Sequence, residues 1–162
     1  MPKGLIQFNN QSLLRRTAEL LRPYCEKVVL LGNPRGYEEF GLQSLADSYP
    51  KAGPLAGLAA ALDATSKDVL LVPCDLPLLT ASILSELLVE SGQVPVACRG
   101  PARTHPLIAC YPKATREIVH GLAQRKGSAH QAFEACEGRW VSFNSEIPFT
   151  NINTPQDLAN IR

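Results

Sequence analysis

Apolar positions along this chain switch between helical spacing and short unbroken runs. Leu13, Leu14, Thr17, Leu20 and Leu21 share one helical face and predict a helix over 11–21, ended by Pro23. Val28-Val29-Leu30-Leu31, stopped by Gly32-Asn33-Pro34, reads as a buried strand and a loop. A brief strand is predicted over 42–46, closing at Asp47, and a helix over 54–64, rich in small residues that permit close packing. Residues 68–72 form the clearest buried strand. Thr80 is a good N-cap for a helix over 81–90. Further strands are expected over 94–98, 107–111 and 140–143, and helices over 114–124 and 128–136. The polar stretch 100–104 reads as a loop. Thr154-Pro155, a cap followed by proline at the first helical position, opens a C-terminal helix.

Strands alternating with helices predict an α/β layered sheet. The strands lack polar alternation, as expected where helices cover both faces of a mostly parallel sheet. The 162 residues correspond to one domain, with no internal repeat or linker.

Composition narrows the field of functions. Apolar residues make up 45% and charged residues 19%, and the longest apolar runs fall far short of a membrane span. Sixteen basic against fifteen acidic residues leave a net charge of +1, without the basic surplus of a nucleic-acid-binding protein. Short basic pairs such as Arg15-Arg16 and Arg125-Lys126 read as solvated helix surface. The cysteines, Cys25, Cys74, Cys98, Cys110 and Cys136, are odd in number and have no CxxC spacing, so neither a zinc cluster nor a disulfide framework is implied. With no apolar stretch behind a basic start, the expected location is the reducing cytoplasm.

Candidate chemistry gathers at a few turns. Asp75 follows Val69-Leu70-Leu71-Val72-Pro73-Cys74 at the carboxyl end of a buried strand, where open sheets bind ligands. A carboxylate there can hold a divalent ion that also touches phosphate, with Pro77 fixing the turn, or can simply cap that turn. Gly53-Pro54-Leu55-Ala56-Gly57 opens a helix whose free amides favour an anion, or is a plain loop-to-helix junction. Asp47 lies just ahead of that turn. Asn151 and Asn153 straddle Ile152 and face the same way in an extended segment, where they can read a polar ligand; Asn153 can equally serve the loop before Thr154. His105 stands at a loop-to-strand junction, whereas His120 and His130 fall on predicted helices as surface or packing residues. No serine elbow, cysteine–histidine arrangement or HExxH gives nucleophilic hydrolysis a foothold.

In order, these segments resemble the molybdenum cofactor guanylyltransferases, the MobA family. The likeness runs through Lys3-Gly4-Leu5-Ile6, Asp47 ahead of Gly53-Pro54-Leu55-Ala56-Gly57, Pro73-Cys74-Asp75-Leu76-Pro77, His105-Pro106-Leu107 and Phe149-Thr150-Asn151-Ile152-Asn153-Thr154-Pro155. It implies a Rossmann-like fold of the nucleotide-diphospho-sugar transferase type. It also implies transfer of GMP from GTP to the terminal phosphate of molybdopterin with release of pyrophosphate. Carried over by position, Lys3 would contact the GTP phosphates and act with Asp75 in catalysis, and Asp75 would bind Mg²⁺. Asn33, Asp47, Gly53, Pro54, Leu55 and Gly57 would line the nucleotide pocket. His105, Asn151 and Asn153 would face the acceptor. The Gly-Pro-Leu-Ala-Gly and Pro-Cys-Asp forms favour guanylyl over cytidylyl transfer. A molybdoenzyme or cofactor-delivery protein is the implied partner, with no role for nucleic acid or membrane.

The family opens with a strand and a glycine-rich loop of the form LAGGxSxRMG ahead of the lysine that matches Lys3. Here the chain begins Met1-Pro2-Lys3. The expectation is therefore an N-terminally truncated version of the fold, either part of a longer protein or a degenerate homologue that holds triphosphate poorly. A catalytically weak binding module in cofactor delivery, and a nucleotidyltransferase of the same fold acting on a sugar phosphate, remain the alternatives.

Overall fold

The computed structural model describes residues 1–161. It begins with a two-residue-strand hairpin, β1 (Gln7–Phe8) and β2 (Gln11–Ser12), turned by Asn9 and Asn10, both at positive φ. Paired asparagines suit such a turn because their short side chains tolerate the left-handed region. This hairpin takes the first residues of the predicted 11–21 helix, so α1 starts at Leu13 (Leu13–Leu21), capped by Ser12 accepting from the Arg15 amide.

β3 (Val29–Leu31) pairs in parallel with β4 (Gln43–Leu45). α2 (Pro54–Ala64) then leads into β5 (Val69–Leu71), and α3 (Ala81–Val89) follows, with the predicted Thr80 cap accepting from the Ile83 amide. β6 (Val96–Arg99) and β7 (Thr104–Tyr111) come next, followed by α4 (Arg116–Gln124), α5 (Ala129–Ala135) and β8 (Arg139–Ser142). Residues 155–161 wind as a 3-10 helix rather than an α-helix.

The main sheet has the order β5-β7-β6-β8. β7 is antiparallel to both neighbours, and β6 and β8 are parallel. Alternation along β6 and β7 divides the interior into two layers. Val96, Cys98, Ile108 and Cys110 face Leu84, Leu87 and Phe149, whereas Ala97, Ala109 and Tyr111 face Leu58, Leu62, Val119 and Phe133. Helices thus cover both faces, as the α/β pattern predicts. Three of the five thiols are buried and all five are free.

β3 and β5, both expected to be buried strands, are only half-buried along their whole length. The cause is topological. They lie in separate sheets, where among the described residues β3 is hydrogen-bonded only to β4 and β5 only to β7. A cleft of about 960 Å³ runs between them, floored by Leu14, Ala18 and Leu21 on one side and Gly57 and Ala61 on the other.

Candidate active site

The site forms at the carboxyl end of β5. The chain leaves the strand through Pro73-Cys74 and presents Asp75, whose side chain is only 13% exposed. Three elements converge on it. From the amino end, Lys3 brings Nζ to 3.8 Å from Asp75 Oδ2 and donates to Asn153 Oδ1. From the carboxyl end, Asn151 Nδ2 donates to Asp75 Oδ2 at 3.3 Å, and the Ile152 amide donates to the Asp75 carbonyl at 2.8 Å. Ile152 itself is fully buried against Ile6 and Leu13, which fixes the two asparagines on the opposite side of that extended segment. Asp157 secures the segment's end by accepting from the amides of Asn153 and Thr154, and these bonds hold its carboxyl below the usual range.

α1 supplies a support that charge patterning misses. Arg16 is not a solvated surface residue: its Nε donates to the Pro77 carbonyl at 2.8 Å, and its guanidinium lies 5.4 Å from the Phe8 ring centre. The turn carrying Asp75 is therefore pinned from behind. The only sequence signal for this role is that Arg16 falls beside the apolar stripe of α1. Arg15, by contrast, is exposed.

Asp75 Oδ1 is buried and has no hydrogen-bond partner. An ionised oxygen in that state is costly unless something positive meets it. The arrangement fits a hard cation such as Mg²⁺, which accepts one carboxylate and fills its remaining places with water and phosphate oxygens. Among the described residues no group of three His, Cys, Asp or Glu side chains could form a protein cage for a metal. An ion held here would thus keep most of its coordination sphere for water and ligand.

The second half of the expected site lies at the start of α2. Gly53 adopts φ 67°, a conformation strained for residues with a Cβ, and Pro54 occupies the first helical turn. Asp47, exposed, and Gly53 and Pro54 line the same cleft as Pro73 and Cys74, so the two halves open onto a common space. Gly57 has a packing reason. A Cβ there would meet Leu31 Cβ at 3.2 Å and would lie 3.6 Å from Asp47 Oδ1. Its absence lets α2 approach β3. Leu55 is fully buried in the core, so only its backbone can face a ligand. Asn33 Oδ1 accepts from the Arg35 amide at 2.9 Å, closing its own turn.

His105 is the second residue of β7, at the loop-to-strand junction expected for it. Its Nε2 is 2.9 Å from Glu146 Oε1, and its ring stacks on Phe149 at 4.6 Å. Glu146, which no sequence motif marks, also accepts from the Ala102 amide. Slight burial alone would raise the Glu146 carboxyl, but the bonds from His105 and Ala102 outweigh it and hold the group below its ordinary range. Gly100 makes room for this carboxylate, since a Cβ there would lie 1.8 Å from Glu146 Oε2. His120 is a packing residue, as expected. Tyr49 OH meets its Nδ1 at 2.8 Å, and its Nε2 lies 3.0 Å from Asp63 Oδ2, close enough for an ion pair but outside hydrogen-bond geometry.

A model of the MobA-like NTP transferase domain matches residues 1–139. The chain belongs to this family. A Clostridium perfringens (strain 13) protein named "Probable molybdenum cofactor guanylyltransferase" is 30% identical over 98% of this chain and 80% of its own length. The Shewanella sp. (strain MR-4) molybdenum cofactor guanylyltransferase is 30% identical over 98% of this chain and 85% of its own. Among solved structures, molybdopterin-guanine dinucleotide biosynthesis protein A from Archaeoglobus fulgidus superimposes with a TM-score of 0.77 at 19% identity, covering 99% of this chain and 89% of that one. The MobA-like domain thus carries a nucleotidyltransferase fold, as its motif order implies. No helix among the described residues is long and apolar enough to cross a membrane.

Proposed function

We propose that this MobA-like domain is a molybdenum cofactor guanylyltransferase, acting as a single domain in the cytoplasm. It moves GMP from GTP to the terminal phosphate of molybdopterin. A phosphate oxygen of the acceptor attacks the α-phosphorus of GTP, the bond from that phosphorus to the bridging oxygen breaks, and the β- and γ-phosphates leave as pyrophosphate. The observation that carries the reading is the buried, unpartnered oxygen of Asp75 beside the ammonium of Lys3.

Nucleophile and electrophile are both anions, so the protein's task is to position them and offset charge, without a covalent intermediate. Asp75 Oδ1 is the atom available to Mg²⁺, which when bound would neutralise charge on the triphosphate. Lys3, 53% exposed and able to swing from Asn153 toward phosphate, supplies the mobile positive charge. Asn151 orients the Asp75 carboxylate from the other side. Asp47 and the free amides of Gly53 and Leu55 serve the nucleotide, with Pro54, which has no N–H, setting the first turn of the helix beside it. Asn33, engaged in its own turn, contributes only from the rim. Asn153 and the His105–Glu146 pair face the acceptor. A delivery protein or molybdoenzyme receives the product.

The experiment is release of pyrophosphate from GTP, Mg²⁺ and molybdopterin, with CTP and with sugar phosphates as controls. Formation of the guanine dinucleotide supports the reading, and preference for CTP or a sugar phosphate replaces it. One second reading, a module that binds the acceptor without turnover, would draw on the His105–Glu146 pair and its stack on Phe149, which stand apart from Asp75 and Lys3. Acceptor binding measured by calorimetry with no pyrophosphate released would select it.

A further inference from the structure

The loop from β4 to α2, residues 46–53, carries Asp47 and ends on Gly53 at the cleft, and most of it is exposed. Lys51 and Gly53 both stand at positive φ, 60° and 67°. A lysine adopts that region only where the chain around it is held. Within the loop the Ala52 amide donates to the Tyr49 carbonyl at 3.2 Å, and the Ser48 amide reaches the Ala56 carbonyl in the first turn of α2 at 3.4 Å. Two of its side chains turn inward: Ala52, which is buried, and Tyr49, half-buried against the core that holds Leu58 and Val119. Tyr49 is thus the loop's one large anchor, and it ends on α4. Its hydroxyl lies 2.8 Å from His120 Nδ1, and the two rings meet edge to face at 5.5 Å. His120 Nε2 is buried without a hydrogen-bond partner, 3.0 Å from Asp63 Oδ2, and Arg116 Nε holds the other oxygen of Asp63. The nearby carboxylate favours the proton on Nε2, which leaves the Nδ1 lone pair to accept from the tyrosine hydroxyl; the tautomer is assigned from these neighbours.

We propose that Tyr49 and His120 are positioning residues for the nucleotide, and that the single bond between them sets the shape of the 46–53 loop and with it the affinity for Mg²⁺–GTP. The inference rests on the nucleotide role proposed for Asp47 and Gly53. These two residues flank Tyr49 in the chain, so a loop that pivots on Tyr49 moves both. A loop already held in its binding shape loses less entropy when the ligand arrives, and that difference appears as affinity. Asp75 draws its partners from Lys3 and Asn151 rather than from this pair, so the bond bears on binding and leaves the chemical step alone. Packing by itself does not make the same demand. It depends on ring volume, whereas the proposed role depends on one lone pair at the place of Nδ1.

The test compares variants of the intact chain that keep or remove this bond. Tyr49→Phe keeps the ring and loses the hydroxyl. His120→Asn places an amide oxygen near the site of Nδ1, whereas His120→Gln places its amide near the site of Nε2. In hydrogen–deuterium exchange without ligand, the Ser48 and Ala52 amides should exchange about fivefold faster in Tyr49→Phe and His120→Gln, the opening expected for loss of one ordinary hydrogen bond, and within about twofold of the parent in His120→Asn. Unchanged exchange over 96–99 and 104–111 shows that the fold is intact. In calorimetry with Mg²⁺ and GTP the first two variants should bind about fivefold more weakly, and KM for GTP should follow while kcat stays within about twofold. The proposal is overturned if Tyr49→Phe exchanges as the parent does, or if the loop loosens and GTP affinity is unchanged. It is also overturned if His120→Asn loses as much as His120→Gln, because ring volume would then hold the loop, or if kcat falls while KM does not move. The exchange measurement needs no nucleotide, so failure of this inference is told apart from failure of the guanylyltransferase reading.

Discussion

Replacing Asp75 by asparagine separates two roles that a carboxylate at a strand end can have, because the two respond to metal with opposite sign. Without metal, Asp75 carries one buried oxygen with no partner, and such a group costs about 1–3 kcal/mol. Against this stands attraction to Lys3 at 3.8 Å. At an effective dielectric of 20 that attraction would be about 4 kcal/mol, but Lys3 is half exposed, and screening reduces exposed pairs to under about 1 kcal/mol. The amide keeps the shape and can still accept from Asn151. Asp75→Asn should therefore leave the metal-free protein as stable as the parent or up to about 2 kcal/mol more stable. With Mg²⁺ and GTP at a hundred times their dissociation constant, the parent gains about 2.7 kcal/mol and the variant gains little, so the order reverses. Turnover should fall by about 10²–10³, the usual loss for a group that stabilises transition-state charge. Urea denaturation in EDTA and in Mg²⁺–GTP measures both halves. A variant that loses more than about 2 kcal/mol in EDTA would show that the carboxylate is a structural cap of its turn. A variant that gains as much as the parent from Mg²⁺–GTP would remove it from the metal site.

Other expectations follow from single contacts. Arg16→Ala deletes the bond to the Pro77 carbonyl and the contact with Phe8, so it should cost about 1–2 kcal/mol in urea and weaken Mg²⁺–GTP binding seen by calorimetry; unchanged binding would detach α1 from the site. Ile152→Ala empties a fully buried position beneath Asn151 and Asn153 and should cost about 2–5 kcal/mol by the same denaturation, with turnover falling further than Leu158→Ala lowers it. Burial pushes the Cys98 thiol up to about 12 and those of Cys110 and Cys136 up to about 11. The folded state thus keeps protons that the unfolded chain releases above about pH 9, and stability should decline by about 1 kcal/mol per thiol between pH 9 and 10. Alanine at all three positions should flatten that decline in alkaline denaturation curves.

Much of the framework is legible in the linear chain because it depends on neighbours close in sequence. The 54–64 helix matches α2 to the residue, since Gly53 and Pro54 set its start by local dihedral preference. The Thr80 cap acts within one turn of itself, and its side chain accepts the amide bond such a cap makes. Asp75 stands out because an apolar run followed by proline and an acid marks a strand end. The choice between metal ligand and turn cap is not legible there, because it depends on groups from both ends of the chain. Lys3 and Asn151 meet at Asp75 across long separations in sequence, and no spacing rule reports such a meeting. Arg16 escapes the linear pattern for the same reason. A basic residue on a helix looks solvated until folding brings it the carbonyl it serves, here that of Pro77.

The cleft is the sharpest case. By hydrophobicity alone residues 28–31 and 68–72 read as buried strands, yet both are half-exposed. Apolar character records what a segment can bury, and a strand is buried only if a neighbour occupies each side. Composition and periodicity determined the α/β class, the helix ends and the acid at the turn, because those follow from local conformation and from transfer of side chains out of water. Tertiary structure alone decided which edges are paired, which oxygen of Asp75 is left without a donor and what lies behind its turn, because each of these is a relation between segments that meet only once the chain has folded.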